Sequence, residues 1–171
     1  TLSLTLLARK RHQSLERQVL KNADRVITIA PYHVDRLQVL SGRKVELITN
    51  GFDAEDFVGI KNIKTSKFTI RHIGVVDELR DPRPIMEVLK ALFISNPDLA
   101  QDFTIEFIGK VNSAFKNYIN ADSNLSNVVK FLDQIPHAQV LAGYGSTDLQ
   151  LLVLAHTAIA PGNLPGKFFE Y

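Results

Sequence analysis

Short apolar runs alternate with stretches of helical periodicity along most of the chain. The strand-like runs are residues 25–30, 44–49, 68–73, 103–108, 128–132 and 149–155. The helical stretches are residues 4–21, 31–40, 84–94, 113–121 and 136–142, and a further helix begins near the C-terminal end. Runs that are apolar on both faces suit strands buried in a parallel sheet. The alternation therefore predicts an α/β fold, a Rossmann-like doubly wound parallel sheet with helices on both faces.

A polar, irregular segment interrupts this alternation at residues 53–66. It contains Gly59, and lysines recur at positions 61, 64 and 67. Such a composition is typical of a connection between domains. We therefore predict a boundary after Gly59, with residues 1–59 ending one domain and residues 60–171 forming an incomplete second one.

The composition excludes several classes of protein. Of the 171 residues, 45% are hydrophobic and 22% are charged, as in soluble globular proteins. The chain has no cysteine, which excludes disulfides, thiolate catalysis and Cys-based zinc sites. The 20 basic and 18 acidic residues are nearly balanced, so no nucleic-acid surface is indicated. The longest apolar run, residues 149–161, is shorter than the ~20 residues that a membrane-spanning helix needs.

The densest basic run lies on the first helical stretch and comprises Arg9, Lys10 and Arg11, with Arg17 and Lys21 after it. It is either a solvated helix face or a contact with anionic lipid or another partner. No secretory signal is visible, because the apolar residues 2–8 follow no basic segment. We therefore expect a cytoplasmic protein, peripheral at the inner membrane face if this run contacts lipid.

The end of the first strand in the predicted second domain is the first candidate site. Gly74 follows the apolar run directly, and Arg80 and Arg83 lie in the loop and helix entrance after it. A glycine lets a ligand approach the backbone, and arginine binds phosphate oxygens as a bidentate fork. The alternative is a tight βα turn with two solvated arginines. Gly109 repeats the strand-then-glycine pattern, where we favour a turn.

Lys167 and Glu170, beside two phenylalanines at the start of the last helix, are the second candidate site. The lysine could bind a phosphate, and the glutamate could accept hydrogen bonds from sugar hydroxyls. Alternatively, Glu170 only favours the helix dipole while the phenylalanines pack in the core. His72 lies inside a strand and is interpreted as a core residue. Neither an HExxH nor an Asp-x-Asp motif occurs, so no metal site is predicted.

Several segments, in order along the chain, resemble the family 4-like glycosyltransferases of GT-B fold. They are residues 15–28 with ADRVIT at their end, 45–53 (VELITNGFD), Ile73-Gly74 with Arg80, 148–152 (DLQLL) and 166–171 (GKFFEY). They are spread over nearly the whole chain, and their order is more specific than any single segment.

The resemblance implies that residues 1–59 end the acceptor-side domain and that residues 60–171 are part of the nucleotide-sugar-binding domain. It further implies a glycosyltransferase that takes its sugar from a nucleotide-diphosphate-sugar donor and needs no metal cofactor. The acceptor would be a glycan or lipid-linked glycan in polysaccharide or glycoconjugate synthesis. No catalytic residue is assigned, and we expect this chain alone to be inactive.

The donor-binding residues implied by the resemblance are Gly74, Arg80, Arg83, Lys167 and Glu170. Gly74 would admit the diphosphate, and Arg80 stands at the sixth position after it, where the family has a basic residue. Val75 replaces a second basic residue, whose role Arg83 could take. Glu170 matches the second Glu of the family's Glu-x7-Glu motif and would contact the ribose. Gly162 stands where the first Glu is expected, at the position that contacts the donor sugar.

Val75 and Gly162 leave a second interpretation open, a nucleotide-binding or scaffold protein that has the fold without the chemistry. A phosphoacceptor signalling domain is disfavoured, because residues 73–76 supply no acidic pair. A dehydrogenase is disfavoured because the chain has no GxGxxG motif.

Overall fold

The predicted strand–helix alternation is confirmed in a computed structural model, which describes residues 4–158 and 160–171. The chain forms two compact units. The first comprises the described residues up to Gly51 together with Pro161–Phe169, and the second comprises Phe52–Ala160 with Glu170–Tyr171. Compact units and functional domains are different divisions, so the boundary after Gly59 stays a prediction.

The first unit pairs two short strands in parallel. Its elements are helix α1 (Leu6–Asn22), strand β1 (Val26–Thr28), helix α2 (Val34–Ser41) and strand β2 (Val45–Leu47). The Thr5 hydroxyl accepts a hydrogen bond from the Ala8 amide and caps α1. The helix predicted over residues 31–40 is divided, because Pro31–His33 forms a 3₁₀ turn before α2. Both strands are shorter than predicted.

The second unit contains a four-stranded parallel sheet in the order β5-β4-β3-β6. Its strands are β3 (Phe68–Ile73), β4 (Phe103–Ile108), β5 (Val129–Leu132) and β6 (Leu149–Gln150). Its helices are α3 (Arg83–Ser95), α4 (Ser113–Asn120), the single turn α5 (Ser123–Ser126) and α6 (His137–Tyr144). The short helix α7 (Gly166–Glu170) follows near the end of the chain. The predicted doubly wound α/β fold is thereby confirmed.

Alternating residues of the strands pack the two faces of this sheet differently. One face packs against α3 and α4 in the main core, which includes Ile70, Ile105, Phe107, Met86, Phe93, Phe115 and Ile119. On the other face, Ile73 and Ile108 pack against Val140 of α6. The sheet thus carries helices on both faces, and α6 lies over the carboxyl ends of β3 and β4.

An ion pair on the α6 side of the sheet lies next to the end of that helix. Arg71 and Glu106 are register partners on β3 and β4, and their side chains are largely buried with Nη2 and Oε2 2.7 Å apart. Arg71 Nη1 also donates to the carbonyl oxygen of Gly143 at 2.6 Å. This contact ties the last turn of α6 to the middle of β3.

Strand β6 is much shorter than the predicted run over residues 149–155. After Gln150 the Leu151 amide still donates to the Arg71 carbonyl, but the Leu151 carbonyl lies 2.9 Å from Nδ1 of the His72 ring. A carbonyl only accepts, so Nδ1 carries the proton. The β6 ladder ends next to this contact. His72 is 4% exposed, which confirms its interpretation as a core residue.

Within the described residues, no helix combines the length and the apolar character needed to cross a membrane.

Candidate functional site

The two strand-end glycines, Gly74 and Gly109, lie against each other. Gly74 donates its amide to the Ile108 carbonyl at 2.9 Å, and Gly109 donates to the Leu132 carbonyl at 3.0 Å. Gly109 has a φ of +122°, and a Cβ added to it would lie 2.5 Å from the Gly74 carbonyl oxygen. Packing alone therefore accounts for glycine at position 109, in agreement with its interpretation as a turn.

The loop after Gly74 is built around Asp77. Its Oδ1 accepts hydrogen bonds from the amides of Leu79 at 3.0 Å and Arg80 at 2.8 Å, and its Oδ2 lies 2.6 Å from Arg80 Nη1. The amide of Arg80 is the largest cause that lowers the pKa of the Asp77 carboxyl below its ordinary value. The carboxylate is thus ionised at neutral pH and orients the Arg80 guanidinium.

Arg83 has a comparable partner in Asp81. The Arg83 Nε and Nη2 atoms lie 2.8 and 2.7 Å from Asp81 Oδ2, and the Arg83 amide donates to Oδ1. The side-chain hydrogen bond to Arg83 lowers the pKa of Asp81 and raises that of Arg83. A guanidinium has five N–H donors, so each arginine retains donors beyond those that bind its aspartate.

Asp77 and Asp81 were missed by reasoning from sequence. Each precedes its arginine by only three or two residues within one βα loop. That spacing is a local signal, because a loop aspartate readily accepts from backbone amides two or three residues later. An aspartate two or three residues before a candidate phosphate-binding arginine therefore indicates how that arginine is oriented.

The segment after β6 returns to this loop. The amide of His156 donates to the carbonyl oxygen of Leu79 at 2.8 Å. The His156 side chain is exposed. The backbone of His156 therefore lies beside the loop that carries Arg80.

Glu170 is bound by a tyrosine. The Tyr144 hydroxyl donates to Glu170 Oε2 at 2.7 Å. Burial, followed by this hydrogen bond, raises the pKa of the Tyr144 hydroxyl. Both residues line an open cleft of about 630 Å³ whose wall includes Asp148, Gln150 and Tyr171.

Tyr171 connects Glu170 with the end of β3. Burial raises the pKa of the Tyr171 hydroxyl to about 12, and the nearby backbone of Ile73 acts against that rise. Ile73 directly precedes Gly74. The Tyr171 hydroxyl therefore lies near the strand end that carries the first candidate site.

Lys167 belongs to the first unit, whereas the other four candidate residues belong to the second. Gly74, Arg80 and Arg83 share one strand end and its loop, and Tyr171, which follows Glu170 in the chain, lies near that strand end. Within the described residues, no three histidine, aspartate or glutamate side chains cluster as a metal-binding set would.

Gly162, also in the first unit, is fully packed. A Cβ at this position would collide with the imidazole ring of His33, most closely with Nε2. The ring thus occupies the space that a side chain at position 162 would need. A glutamate at this position would therefore require the His33 side chain to move.

Comparison with solved structures identifies the fold. WaaG, a glycosyltransferase involved in lipopolysaccharide biosynthesis, superposes with a TM-score of 0.62 at 13% identity, covering 88% of this chain and 44% of WaaG. Sucrose-phosphate synthase from Thermosynechococcus elongatus gives 0.58 at 18% identity, covering 88% of this chain and 40% of that one. The fold is that of the GT-B glycosyltransferases.

A third GT-B neighbour was solved with ligands. A point mutant of TarM from S. aureus, in complex with fondaparinux, α-GlcNAc-glycerol and UDP, matches with a TM-score of 0.52 at 12% identity, over 71% of this chain and 24% of its own. This chain therefore spans less than half of the length of each of these three neighbours. No protein-family model matches it, and no curated protein sequence does.

Proposed function

We propose that this chain carries the donor-binding part of a glycosyltransferase that transfers a sugar from a nucleotide-diphosphate sugar to an acceptor. The observation that carries the proposal is the β3 end, where Asp77 orients Arg80 at the sixth position after Gly74. The GT-B fold supports it, and so does the presence of UDP in the TarM complex.

In this proposal the residues act mainly by electrostatic stabilisation. As the glycosidic bond breaks, negative charge develops on the departing nucleoside diphosphate, and preorganised cations there lower the barrier. Arg80 and Arg83 would bind the phosphates, with Lys167 as a further cation and no metal required. Asp77 and Asp81 reduce the mobility of the arginines before the donor arrives. Glu170 would accept hydrogen bonds from the ribose.

The wider setting is part of the same proposal. The acceptor would be a glycan or lipid-linked glycan, and the transfer reaction would be a step of polysaccharide or glycoconjugate synthesis in the cytoplasm. A contact between the basic face of α1 and anionic lipid would bring the enzyme to the membrane where such acceptors are found. Residues outside this chain would supply the acceptor site, so we expect the chain alone to bind donor nucleotide without turnover.

The test is nucleotide binding by calorimetry with UDP, GDP, ADP and CMP. One nucleotide should bind, and Arg80→Ala should weaken it about tenfold, because a charge-assisted hydrogen bond to phosphate is among the stronger polar contacts. Arg36→Ala is the matched control, since Arg36 forms a similar exposed pair with Glu16, with Nη2 and Oε1 2.9 Å apart. Equal weakening by both substitutions, or no binding by the folded protein, would contradict the proposal.

A second candidate is a nucleotide-binding protein that lacks transfer activity. The packing of His33 against Gly162 favours it, because the His33 ring occupies the space of the carboxylate expected near the donor sugar. Val75 also favours this candidate, since it stands where the resembling family has a basic residue near the diphosphate. Hydrolysis or transfer of the matching nucleotide sugar, assayed with a longer protein that contains this chain, separates the two candidates. Turnover supports the transferase, and tight binding without turnover supports the alternative.

A further inference from the structure

The Tyr144 side chain is fixed on several sides. Its ring stacks on Phe57 with centroids 6.0 Å apart and meets the Tyr171 ring edge-on at 5.6 Å. It also packs against the cluster formed by Ile73, Ile108 and Val140. A tyrosine in such surroundings has little freedom, so the direction of its hydroxyl is set before any ligand binds.

The backbone around Tyr144 is anchored as well. Arg71 donates to the carbonyl of Gly143, and the amide of Ile63 donates to the carbonyl of Gly145 at 2.6 Å. These bonds fix the residues immediately before and after Tyr144. The end of α6 is therefore a rigid support at the wall of the 630 Å³ cleft.

From this support the hydroxyl reaches Glu170. The hydrogen bond of 2.7 Å engages Oε2. A carboxylate has about four acceptor positions, so a single phenol leaves most of them for another donor. The raised pKa of Tyr144 means that the hydroxyl keeps its proton and acts as a donor throughout the physiological range.

We propose that Tyr144 is a positioning residue, which orients the Glu170 carboxylate so that it accepts hydrogen bonds from the 2′- and 3′-hydroxyls of the nucleotide ribose. The inference rests on the proposed function and deepens it. A carboxylate fixed in advance loses less conformational freedom when the ribose binds, so the hydroxyls contribute more to affinity. Tyr144 itself makes no contact with the ligand in this scheme.

The experiment compares a ribonucleotide with its 2′,3′-dideoxy analogue. The probe is whichever of UDP, GDP, ADP and CMP binds the wild-type chain, and calorimetry gives the ratio of the two dissociation constants. Wild type should prefer the ribonucleotide about tenfold, and Glu170→Gln should reduce that preference towards one. Tyr144→Phe should reduce it about threefold or more while leaving the affinity for the dideoxy analogue nearly unchanged.

Tyr118→Phe is a matched control. The Tyr118 hydroxyl donates to Glu87 Oε1 at the same 2.7 Å, between α4 and α3 and outside the cleft. This substitution therefore removes an equivalent bond and should leave the ratio unchanged. If Tyr144→Phe unfolds the chain, Tyr144→His is the alternative variant, because its ring carries an N–H donor. It should retain part of the preference for the ribonucleotide.

The outcomes separate the two claims. Binding with an unchanged ratio in Tyr144→Phe, alongside a reduced ratio in Glu170→Gln, overturns the positioning role and leaves the proposed function intact. A larger ratio in Tyr144→Phe also overturns it, because Tyr144 would then compete with the ribose for Glu170. An unchanged ratio in Glu170→Gln removes Glu170 from the ribose site and the inference with it. Absence of nucleotide binding in folded wild type overturns the proposed function itself.

Discussion

Strands β3 and β4 both end in Ile-Gly, yet the two glycines have different surroundings. Gly109 combines a φ of +122° with a close approach to the Gly74 carbonyl, so its lack of a side chain is needed for packing. Gly74 opens a loop in which Asp77 orients Arg80. The same dipeptide thus serves packing at one strand end and, in our proposal, access of a diphosphate at the other.

The β4 end also supports the β3 end. Val76 donates its amide to the Lys110 carbonyl at 2.9 Å, and Asn112 donates to the Val76 carbonyl at 3.0 Å. Val76 is 1% exposed and belongs to the main core. The loop that carries Arg80 therefore begins from a fixed position that the β4 loop helps to define. Changes at β4 should act on stability, and changes at β3 mainly on binding.

The largest expected effect is that of Gly109→Ala. The added Cβ would meet the Gly74 carbonyl in a backbone conformation that alanine rarely adopts. Strain and overpacking together should lower the free energy of unfolding by about 2–4 kcal/mol. Urea unfolding followed by circular dichroism measures it.

Gly51→Ala is the control for this substitution. No atom lies within 4 Å of a Cβ built on Gly51, and Gly51 is not among the residues with positive φ. Its free energy of unfolding should therefore change little. If Gly51→Ala and Gly109→Ala lowered the free energy of unfolding by similar amounts, the contact with Gly74 would not be the cause of the loss at position 109.

A smaller effect is expected from Asn112→Ala, which again tests the β4 end. The Asn112 side chain accepts from the Phe115 amide at 2.9 Å and caps α4. Loss of such a cap costs about 1 kcal/mol. Asn112→Asp should retain most of the stability, because aspartate caps equally well. If folded Asn112→Ala also binds the nucleotide more weakly, the β4 end would affect binding as well as stability. That result would contradict the division of roles between the two strand ends.

The same comparison indicates how far sequence reasoning reaches. Both ends of β3 and of β4 were predicted correctly, because these apolar runs are buried on both faces and stop at glycine. Strand β6 was predicted too long, because the apolar run continues past Gln150 whereas the Leu151 carbonyl already contacts the His72 side chain, which no local pattern reveals. Apolar pattern therefore predicts a strand well only where the strand's own residues decide its ends.

The candidate site shows a similar limit. Arg80 and Arg83 could be proposed from their positions after a strand-end glycine, but their pairing with Asp77 and Asp81 was not recognised. The Tyr144–Glu170 bond joins residues 26 positions apart, through the end of one helix and the end of another. Such a contact depends on the completed fold. The assignment of donor-binding roles to Gly74, Arg80, Arg83, Lys167 and Glu170 stays a prediction.

The smallest expected effect is at the β3 end and concerns pH. Because the pKa of Asp77 is lowered in the folded chain, its ionised form stabilises the fold. This contribution is fully present above the ordinary carboxyl value of about 4 and is lost as pH falls through the lowered folded value. Asp77→Asn removes the charge while its side-chain oxygen still accepts from the Leu79 and Arg80 amides. Wild type should therefore have the higher melting temperature at pH 7, with a difference that closes below about pH 4.

Asp81→Asn should also lower the melting temperature at pH 7, since Arg83 lowers the pKa of Asp81 in a similar way. The two substitutions should differ in binding, because Asp77 orients Arg80, which stands at the sixth position after Gly74, where the resembling family has a basic residue. Asp77→Asn is then expected to weaken nucleotide binding more than Asp81→Asn, while both remain folded. Calorimetry at neutral pH measures this difference. A stability difference at Asp77 that persists unchanged in acid, or equal affinities in the two variants, would mean that the Asp77–Arg80 pair has no special part at this strand end.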